Sequence, residues 1–456
     1  MTIISRVMTA KKNYYKKKIG IISLGCAKNL VNSEQMMYLL NRAGYEVTGD
    51  SNDADAVVVN TCGFIESAKT EAIETIVELG RKKEEGLIRK LIVAGCLPER
   101  YKSEIMYEMP EIDAVVGTGS FEDIVGVVEK ALEGKGKLEA FGDINAPVSE
   151  TRRIITTSPA WAYLKIAEGC DNRCAFCVIP DIRGSFRSRP IESIMSEARE
   201  LAGQGIRELI IVAQDVTRYG LDMYRERRLA ELLTGLCDIE TLRWIRLHYL
   251  YPDEIGNKLI DVIAKNDKIL KYLDIPLQHI NDDILSKMRR RGTGREIRAL
   301  IKRLRERIPG VALRTSIIAG LPGEEEKEFE ELCEFLRDTK IERAGVFQYS
   351  PEEGTAAALM DPPDAEIAAR RVELLTDIQS QVMDDYAESR IGSVTTVLVE
   401  GRNDAYYYGR SFAESPDIDG YVYLYGDDIR VNEFIDVRIT GVKNGEPVGE
   451  ALIEKY

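Results

Sequence analysis

From Ile19 to Ser350 the chain repeats one pattern, a short continuous run of Val, Ile and Leu followed by a longer amphipathic stretch. A strand that is apolar on both faces must be covered on both faces, and the crossover that brings the chain back parallel is usually a helix. The alternation therefore excludes a helical bundle or an all-β sandwich over this span and leaves parallel α/β sheets. Its first block holds IGIIS (19–23), DAVVVN (55–60), KLIVAG (90–95) and DAVVG (113–117), separated by helical patterns such as SEQMMYLLNRAG (33–44) and ESAKTEAIETIVELGRKK (66–83). These predict an N-terminal parallel α/β sheet domain over 19–135. A linker with Gly, Ser, Thr and Pro is expected at 136–158. The alternation then resumes with YLKIA (163–167), ELIIVAQ (208–214), LRWIRLHYL (242–250), YLDIPLQ (272–278), ALRTSIIAG (312–320) and AGVFQYS (344–350). Six β/α units in series predict a central partial (β/α)6 barrel over 159–388, with its loops gathered at the strands' carboxyl ends. Past 389 the period changes to short alternating runs (VTTVLVEGR, AYYYGRSF, GYVYLY, FIDVRITGVK) broken by Asn-Asp and Asp-Gly, which predicts a small all-β barrel over 389–456. Residues 1–18 carry Arg6, Lys11, Lys12, Lys16, Lys17 and Lys18 with no acid and no apolar signal core, and read as a basic flexible extension.

Charge and histidine content narrow the function. Lys and Arg number 62 against 76 Asp and Glu, a formal charge of −14, which is the wrong sign for a protein that coats nucleic acid nonspecifically. No run reaches the roughly 18 apolar residues a membrane helix needs, so no membrane partner is expected. With only His248 and His279, a chemistry built on several imidazoles is excluded. There are eight cysteines, and in a large chain with no secretory signal they read as metal ligands or thiols of a cytoplasmic protein rather than as disulfides.

Three of them, Cys170, Cys174 and Cys177, form C-x3-C-x2-C within EGCDNRCAFCVIPDIRGSFRSRP (168–190), the loop after the first barrel strand. Thiolate is the ligand of iron–sulfur clusters, and three ligands for four irons leave one iron free to bind something else. Zinc is the alternative, although it ordinarily takes four protein ligands and no fourth lies nearby. Cys26 (SLGCAKN), Cys62 (NTCGF) and Cys96 (AGCLPER) are far apart in sequence, but each directly follows a predicted strand. Loops at the carboxyl ends of parallel strands share one sheet edge, so these three thiols are expected to converge on a second cluster. Each has a glycine neighbour (Gly25, Gly63, Gly95) that lets backbone approach a bulky group. Cys237 and Cys333 lie on apolar helical faces and read as core.

Together SLGCAKNLVNSE, VVVNTCGFIESAK, VAGCLPERY, the 168–190 segment, AQDVTRYG, LDIPLQHINDDILSKMRRR and VFQYSPEEGTAA resemble the radical S-adenosylmethionine (SAM) methylthiotransferases. Among these, the resemblance is closest to the branch that modifies an aspartate of small-subunit ribosomal protein S-twelve. It covers residue 19 to the C-terminus and implies a methylthiotransferase domain, a radical-SAM barrel and a TRAM domain in that order. It further implies two 4Fe–4S clusters and SAM. Cys170, Cys174 and Cys177 would hold the radical-generating cluster, and Cys26, Cys62 and Cys96 the auxiliary one. One SAM would supply a methyl group to sulfur and a second a radical that removes hydrogen from the aspartate β-carbon. Gln214 and Gln278, at the ends of the second and fourth barrel strands, are the implied SAM contacts, and the GLPGE turn (320–324) is either a backbone contact to the adenine or a plain strand-to-helix connection. Arg183, Arg187 and Arg189 either recognise a carboxylate or form a solvated loop. Asn32, where the resemblance leads one to expect Asp, and SIIAGLPGE, a variant of TTFIVGFPGE, are small departures. The implied partners are S-twelve, free or on the ribosomal subunit, and an electron donor.

Methylthiolation of a tRNA adenosine is the runner-up within the family. Residues 392–456 hold six basic and twelve acidic side chains, a local charge of −6, which opposes phosphate and favours a basic protein. No direct RNA specificity is therefore expected. A two-cluster electron carrier is the reading from a different class, and a barrel-sized middle domain counts against it because electron carriers need no cavity.

Overall fold

In the computed structural model, which describes residues 16–52, 54–426 and 428–452, the N-terminal apolar runs form a six-stranded, all-parallel sheet. Its strands are β1 (Lys18–Ser23), β2 (Glu46–Thr48), β3 (Ala56–Thr61), β4 (Lys90–Gly95), β5 (Ala114–Val116) and β6 (Leu138–Ala140), in the order β2-β1-β3-β4-β5-β6. β3 is buried at every position because helices cover both faces, which explains its unbroken Val run. Helices α1 (Ala27–Arg42) and α2 (Glu66–Glu84) include the two helical patterns quoted above. β6 falls inside the stretch expected to be linker. It is a half-exposed edge strand, so no apolar run marks it. The basic extension lies almost wholly outside the described residues.

The six barrel strands are Trp161–Lys165, Glu208–Val212, Trp244–Leu247, Ile269–Asp274, Ala312–Ala319 and Arg343–Gln348. They pair in parallel in chain order, and the first and sixth stay unpaired, so the barrel is open. Alternate side chains divide two ways. Ala162, Leu164, Leu209, Ile211, Ile245 and Leu273 join the large core under the helices. Trp161, Tyr163, Ile210, Val212, Trp244, Leu270 and Tyr272 point to the inner face, where they meet Val31 of α1 together with Leu398 and Ala413 of the C-terminal domain.

Strands Val394–Arg402, Tyr407–Arg410, Val422–Tyr425, Phe434–Lys443 and Glu446–Ala451 close a five-stranded barrel around Val397, Val399, Val422, Leu424, Val437 and Ile439. Its 411–419 segment fills the open inner face of the central barrel. Arg246 Nη1 donates to Phe412 O at 2.7 Å, the hydroxyls of Tyr272 and Tyr163 bond Asp419 and Asp417, and Ser415 Oγ meets His248 Nε2 at 2.8 Å. Glu414 pairs with Arg343 and Arg390, and Asp419 with Arg314. Several of the acids counted in the C-terminal charge thus neutralise arginines internally. Among the described residues the acids left exposed are Asp404, Asp417, Asp428, Glu433, Asp436 and Glu450, beside exposed Arg402, Arg430, Arg438 and Lys443.

Glu446 sits at the edge of this packing with Oε2 buried and unpartnered. Burial pushes its carboxyl up to about 7, against the pull of Arg343 and with the push of Glu414. The native chain therefore keeps a proton that the unfolded chain has lost, and stability falls as pH rises from about 4.5 to about 7. Glu446→Gln is expected to melt higher than the parent at pH 8 and to match it below pH 4, as differential scanning calorimetry would show.

Candidate active site

β1, β3 and β4 are neighbours in the sheet, and a cysteine follows each of them within three residues. Cys26 is the residue before α1, Cys62 follows β3 directly, and Cys96 opens the short helix α3 (Cys96–Tyr101). The loops pack against each other backbone to backbone. A Cβ on Gly25 would lie 2.7 Å from Cys62 Cβ and 3.5 Å from its sulfur; one on Gly63 would lie 2.9 Å from Leu97 Cα and 3.0 Å from the Cys96 carbonyl carbon. No side chain fits at either point, which is the physical reason for glycine there. The three thiols differ electrically. Burial raises Cys26, but Lys28 and Arg183, with the first amides of α1, more than offset it and leave the thiol below its ordinary value. Burial, with Cys96 and Cys26 close by, pushes Cys62 up to about 12. Cys96 is raised by burial against the pull of Arg183. A metal group bound here would displace these protons.

The barrel cysteines lie in the loop that leaves the first barrel strand. Gly169 has φ +77°, and a Cβ there would come within 2.0 Å of Ser185 O. Amide bonds from Cys170 to Gly184 O (3.0 Å), Ala175 to Met288 O (2.9 Å) and Cys177 to Cys174 O (3.0 Å) fix the loop. Cys174 Sγ receives Arg290 Nη1 at 3.6 Å and lies 3.9 Å from Tyr251 Oη, over whose ring Arg290 stacks at 4.1 Å. Burial, with some backbone relief, pushes Cys170 up to about 11, and burial and the neighbouring Cys174 raise Cys177. The donor set is three thiols on each side, the ligand type of iron–sulfur clusters.

The Cys96 loop meets the barrel's cysteine loop across the domain interface, where Cys96 packs with Val178 and Ile182 and with Phe64. A cavity of about 620 Å³ opens at this interface. Phe64 and Ile65 line it beyond Cys62, Phe176 lies between Cys174 and Cys177, and Gln278, Ile318, Phe347 and Tyr349 come from the barrel. Glu352, 1% exposed, clamps the two walls: it takes Lys69 at 3.1 Å and Arg100 at 2.7 Å, and Arg100 also donates to Gly63 O at 2.9 Å, beside Cys62. A second clasp joins Arg153 to Glu34 of α1 at 2.5 Å.

The other candidate residues are placed as follows. Gln278 lines the cavity, its backbone at φ +73°. Gln214 donates to Glu168 Oε1 at 3.1 Å and leaves its own Oε1 buried and unpartnered. The Glu168 carboxyl is held well down, although burial opposes it, by Lys165 and Arg183. In the GLPGE turn Glu324 caps the Gly320 amide at 3.0 Å and pairs with Arg371, so that end of the turn is structural. His279 lies beside Glu324, and buried His248 is kept neutral by its surroundings. Of the three arginines, Arg189 pairs with Glu150 and Glu197, Arg187 bonds backbone carbonyls, and Arg183 crosses to the N-terminal domain. Cys333 is buried in the main core and Cys237 packs against it. Sequence reasoning missed Arg290, Tyr251, Lys28, Lys69, Arg100 and Glu352. Tyr251 lies outside every motif quoted above, and the only signal for the others was their presence in motifs quoted for other reasons.

Comparison with known proteins gives three family matches along the chain. Residues 18–117 match the uncharacterized protein family UPF0004, residues 164–336 the radical SAM superfamily, and residues 391–452 the TRAM domain. The ribosomal protein uS12 methylthiotransferase RimO of Acetivibrio thermocellus is 46% identical over 450 residues, covering 96% of this chain and 99% of the relative. That of Pelotomaculum thermopropionicum is 47% identical over 449 residues, with the same coverage. Among solved structures, the radical SAM methyltransferase TsrM from Kitasatospora setae, with cobalamin and a [4Fe-4S] cluster bound, aligns with a TM-score of 0.57 at 16% identity, over 75% of this chain and 77% of its own. The apo cobalamin-dependent SAM radical enzyme OxsB aligns at 0.51 and 13% identity, over 80% of this chain and 56% of its own. These two likenesses concern the fold alone.

Proposed function

The chain belongs to the ribosomal protein uS12 methylthiotransferase (RimO) family, and from that premise we propose how its own residues carry out the reaction. It is a radical-SAM methylthiotransferase, and the methylthio group goes to the β-carbon of an aspartate in uS12. The observation that supports the residue assignment is the packing of the Cys96 loop against the barrel's cysteine loop, with Phe64 shared between that contact and the cavity. Cys170, Cys174 and Cys177 would hold the cluster that engages SAM, and Cys26, Cys62 and Cys96 the auxiliary cluster. When bound, these clusters and SAM supply one-electron chemistry and a sulfur carrier, which no acid–base side chain provides.

The protein's part is placement and shielding. Arg290 and Tyr251 hold the Cys174 thiol in one orientation, and the Gly184 and Met288 carbonyls fix the loop around it. Phe64, Phe176, Phe347 and Tyr349 give the cavity an apolar lining that keeps water from a reactive intermediate. Gln278 offers an amide at the cavity wall for a polar group of SAM or substrate. Gln214 can reach such a group through its unpartnered Oε1 or its second amide N–H, the first being held by Glu168. The Glu352 clamp sets the distance between the two walls.

Among the described residues no helix is long and apolar enough to cross a membrane. The substrate is a ribosomal protein, and a cytoplasmic enzyme that draws on a separate electron donor accords with this. The exposed acids of the C-terminal barrel support docking of a Lys- and Arg-rich protein over RNA. The test is anaerobic reconstitution with iron and sulfide, with reductant, SAM, uS12 and tRNA offered together, read by mass spectrometry. Methylthio addition to uS12 is the expected result. Addition to tRNA alone would overturn the substrate reading.

A further inference from the structure

Arg183 ends the short helix Ile179–Arg183 that follows the barrel's cysteine loop, yet most of its guanidinium bonds leave that domain. It is 3% exposed. Nη1 donates to Asn32 Oδ1 at 2.9 Å and lies 3.3 Å from Glu168 Oε2; Nη2 donates to Asn29 Oδ1 and to Cys96 Sγ at 3.3 Å. Three of these four acceptors belong to the N-terminal domain.

The charges around this side chain do not balance. Among the described residues Glu168 is the one carboxylate touching the guanidinium, and it is already shared with buried Lys165 at 2.9 Å. The two other oxygens facing Arg183 are neutral amides, from Asn29 and Asn32. One carboxylate thus faces two buried cations, and the guanidinium keeps positive charge beside Cys96 that no acid cancels.

We propose that Arg183 is a positioning residue of the N-terminal thiol site, which raises the reduction potential of the group held there through its N–H···S bond to Cys96 and its uncompensated buried charge. The inference rests on the assignment of Cys26, Cys62 and Cys96 as ligands of an auxiliary cluster. Reduction adds negative charge to a thiolate-held cluster, and a hydrogen bond to a ligand sulfur or a buried cation beside it stabilises the reduced form. Asn32 matters for what it is not: a carboxylate at the same position would face Nη1 and cancel that cation at almost no change in shape.

The test uses the full chain with Cys170, Cys174 and Cys177 replaced by Ala, so that only the N-terminal site is loaded after anaerobic reconstitution. Iron and sulfide are counted, and the midpoint is read by EPR-monitored redox titration. Within that background, Arg183→Gln and Asn32→Asp are each expected to lower the midpoint, while Arg183→Lys, which keeps the charge, stays nearer the parent. An unchanged midpoint in Arg183→Gln with full iron content would overturn the proposal. If Arg183→Gln does not fold, Asn32→Asp decides alone, since it keeps an oxygen facing Arg183 and gives up only the bond from Asn32 Nδ2 to Gln35 Oε1, and an unchanged midpoint overturns the proposal equally. A background protein that binds no cluster overturns the ligand assignment instead, and the iron count separates that failure from the other.

Discussion

Cys62→Ala is expected to stop methylthio transfer to uS12, down to the level of the no-enzyme control, while cleavage of SAM to deoxyadenosine continues. Cys174→Ala is expected to stop both. The contrast follows from the positions of the two sets. Cys62 lies at the end of β3 in the N-terminal sheet, and the charged neighbours its thiol feels are Cys96, Cys26 and Arg183. Cys174 is held inside that loop by Arg290 and Tyr251. Its removal leaves the barrel set with two thiols, too few for a site-differentiated cluster. Liquid chromatography of deoxyadenosine and mass spectrometry of uS12 from one reaction read both outcomes. Full methylthiolation by Cys62→Ala would refute the role given to the N-terminal set.

The second large effect concerns stability. Glu208 is fully buried between Arg246, at 2.8 Å, and Arg410, at 2.7 Å, both of them also at 0% exposure. Glu208→Gln leaves two buried guanidinium groups with less negative charge to answer them, and breaking a buried pair from one side costs about 3–5 kcal/mol. A clear drop in the melting temperature at pH 7 is expected, with the C-terminal barrel and the central barrel loosening together. The sign with pH can be worked out. Burial raises the Glu208 carboxyl, but the two arginines bring it below the ordinary value. Its contribution is thus present above pH about 4.5 and lost as pH falls through the depressed native value. The difference between Glu208→Gln and parent should shrink correspondingly in acid, which thermal melts across pH would register.

Both predictions draw on features of very different legibility. The thiol convergence was readable because a cysteine immediately after a buried strand has its place fixed by sheet topology; residue separations of any length then stop mattering. The strand runs were readable for the same reason, as only a two-sided burial produces VVVN or LIVAG. β6 was not, because an edge strand half in water has no apolar run to show. Nor was the 411–419 segment, whose polar residues follow no period and find partners only across a domain boundary. Glu414 and Asp419 looked like surface charge in a count and are buried counterions. The arginines of RGSFRSR were undecidable for a related reason. A guanidinium reaches far enough that its partner can lie on another domain, as it does for Arg183.

The occupancy of the barrel's inner face by 411–419 bears on how the molecule can be taken apart. Three folds are strung on this chain, but they are not three modules. A cut near Ser393 would strip Phe412 O from Arg246, Asp419 from Arg314, Glu414 from Arg343 and Ser415 from His248 at one stroke. The remainder would be a half-barrel with a charged trough open to water, and the C-terminal piece would carry its own unpaired acids. Fragments made at the family boundaries are expected to be insoluble or to bind each other tightly. Exchanging the C-terminal barrel with that of a relative should succeed only if the 411–419 segment and the arginines it meets are carried over together.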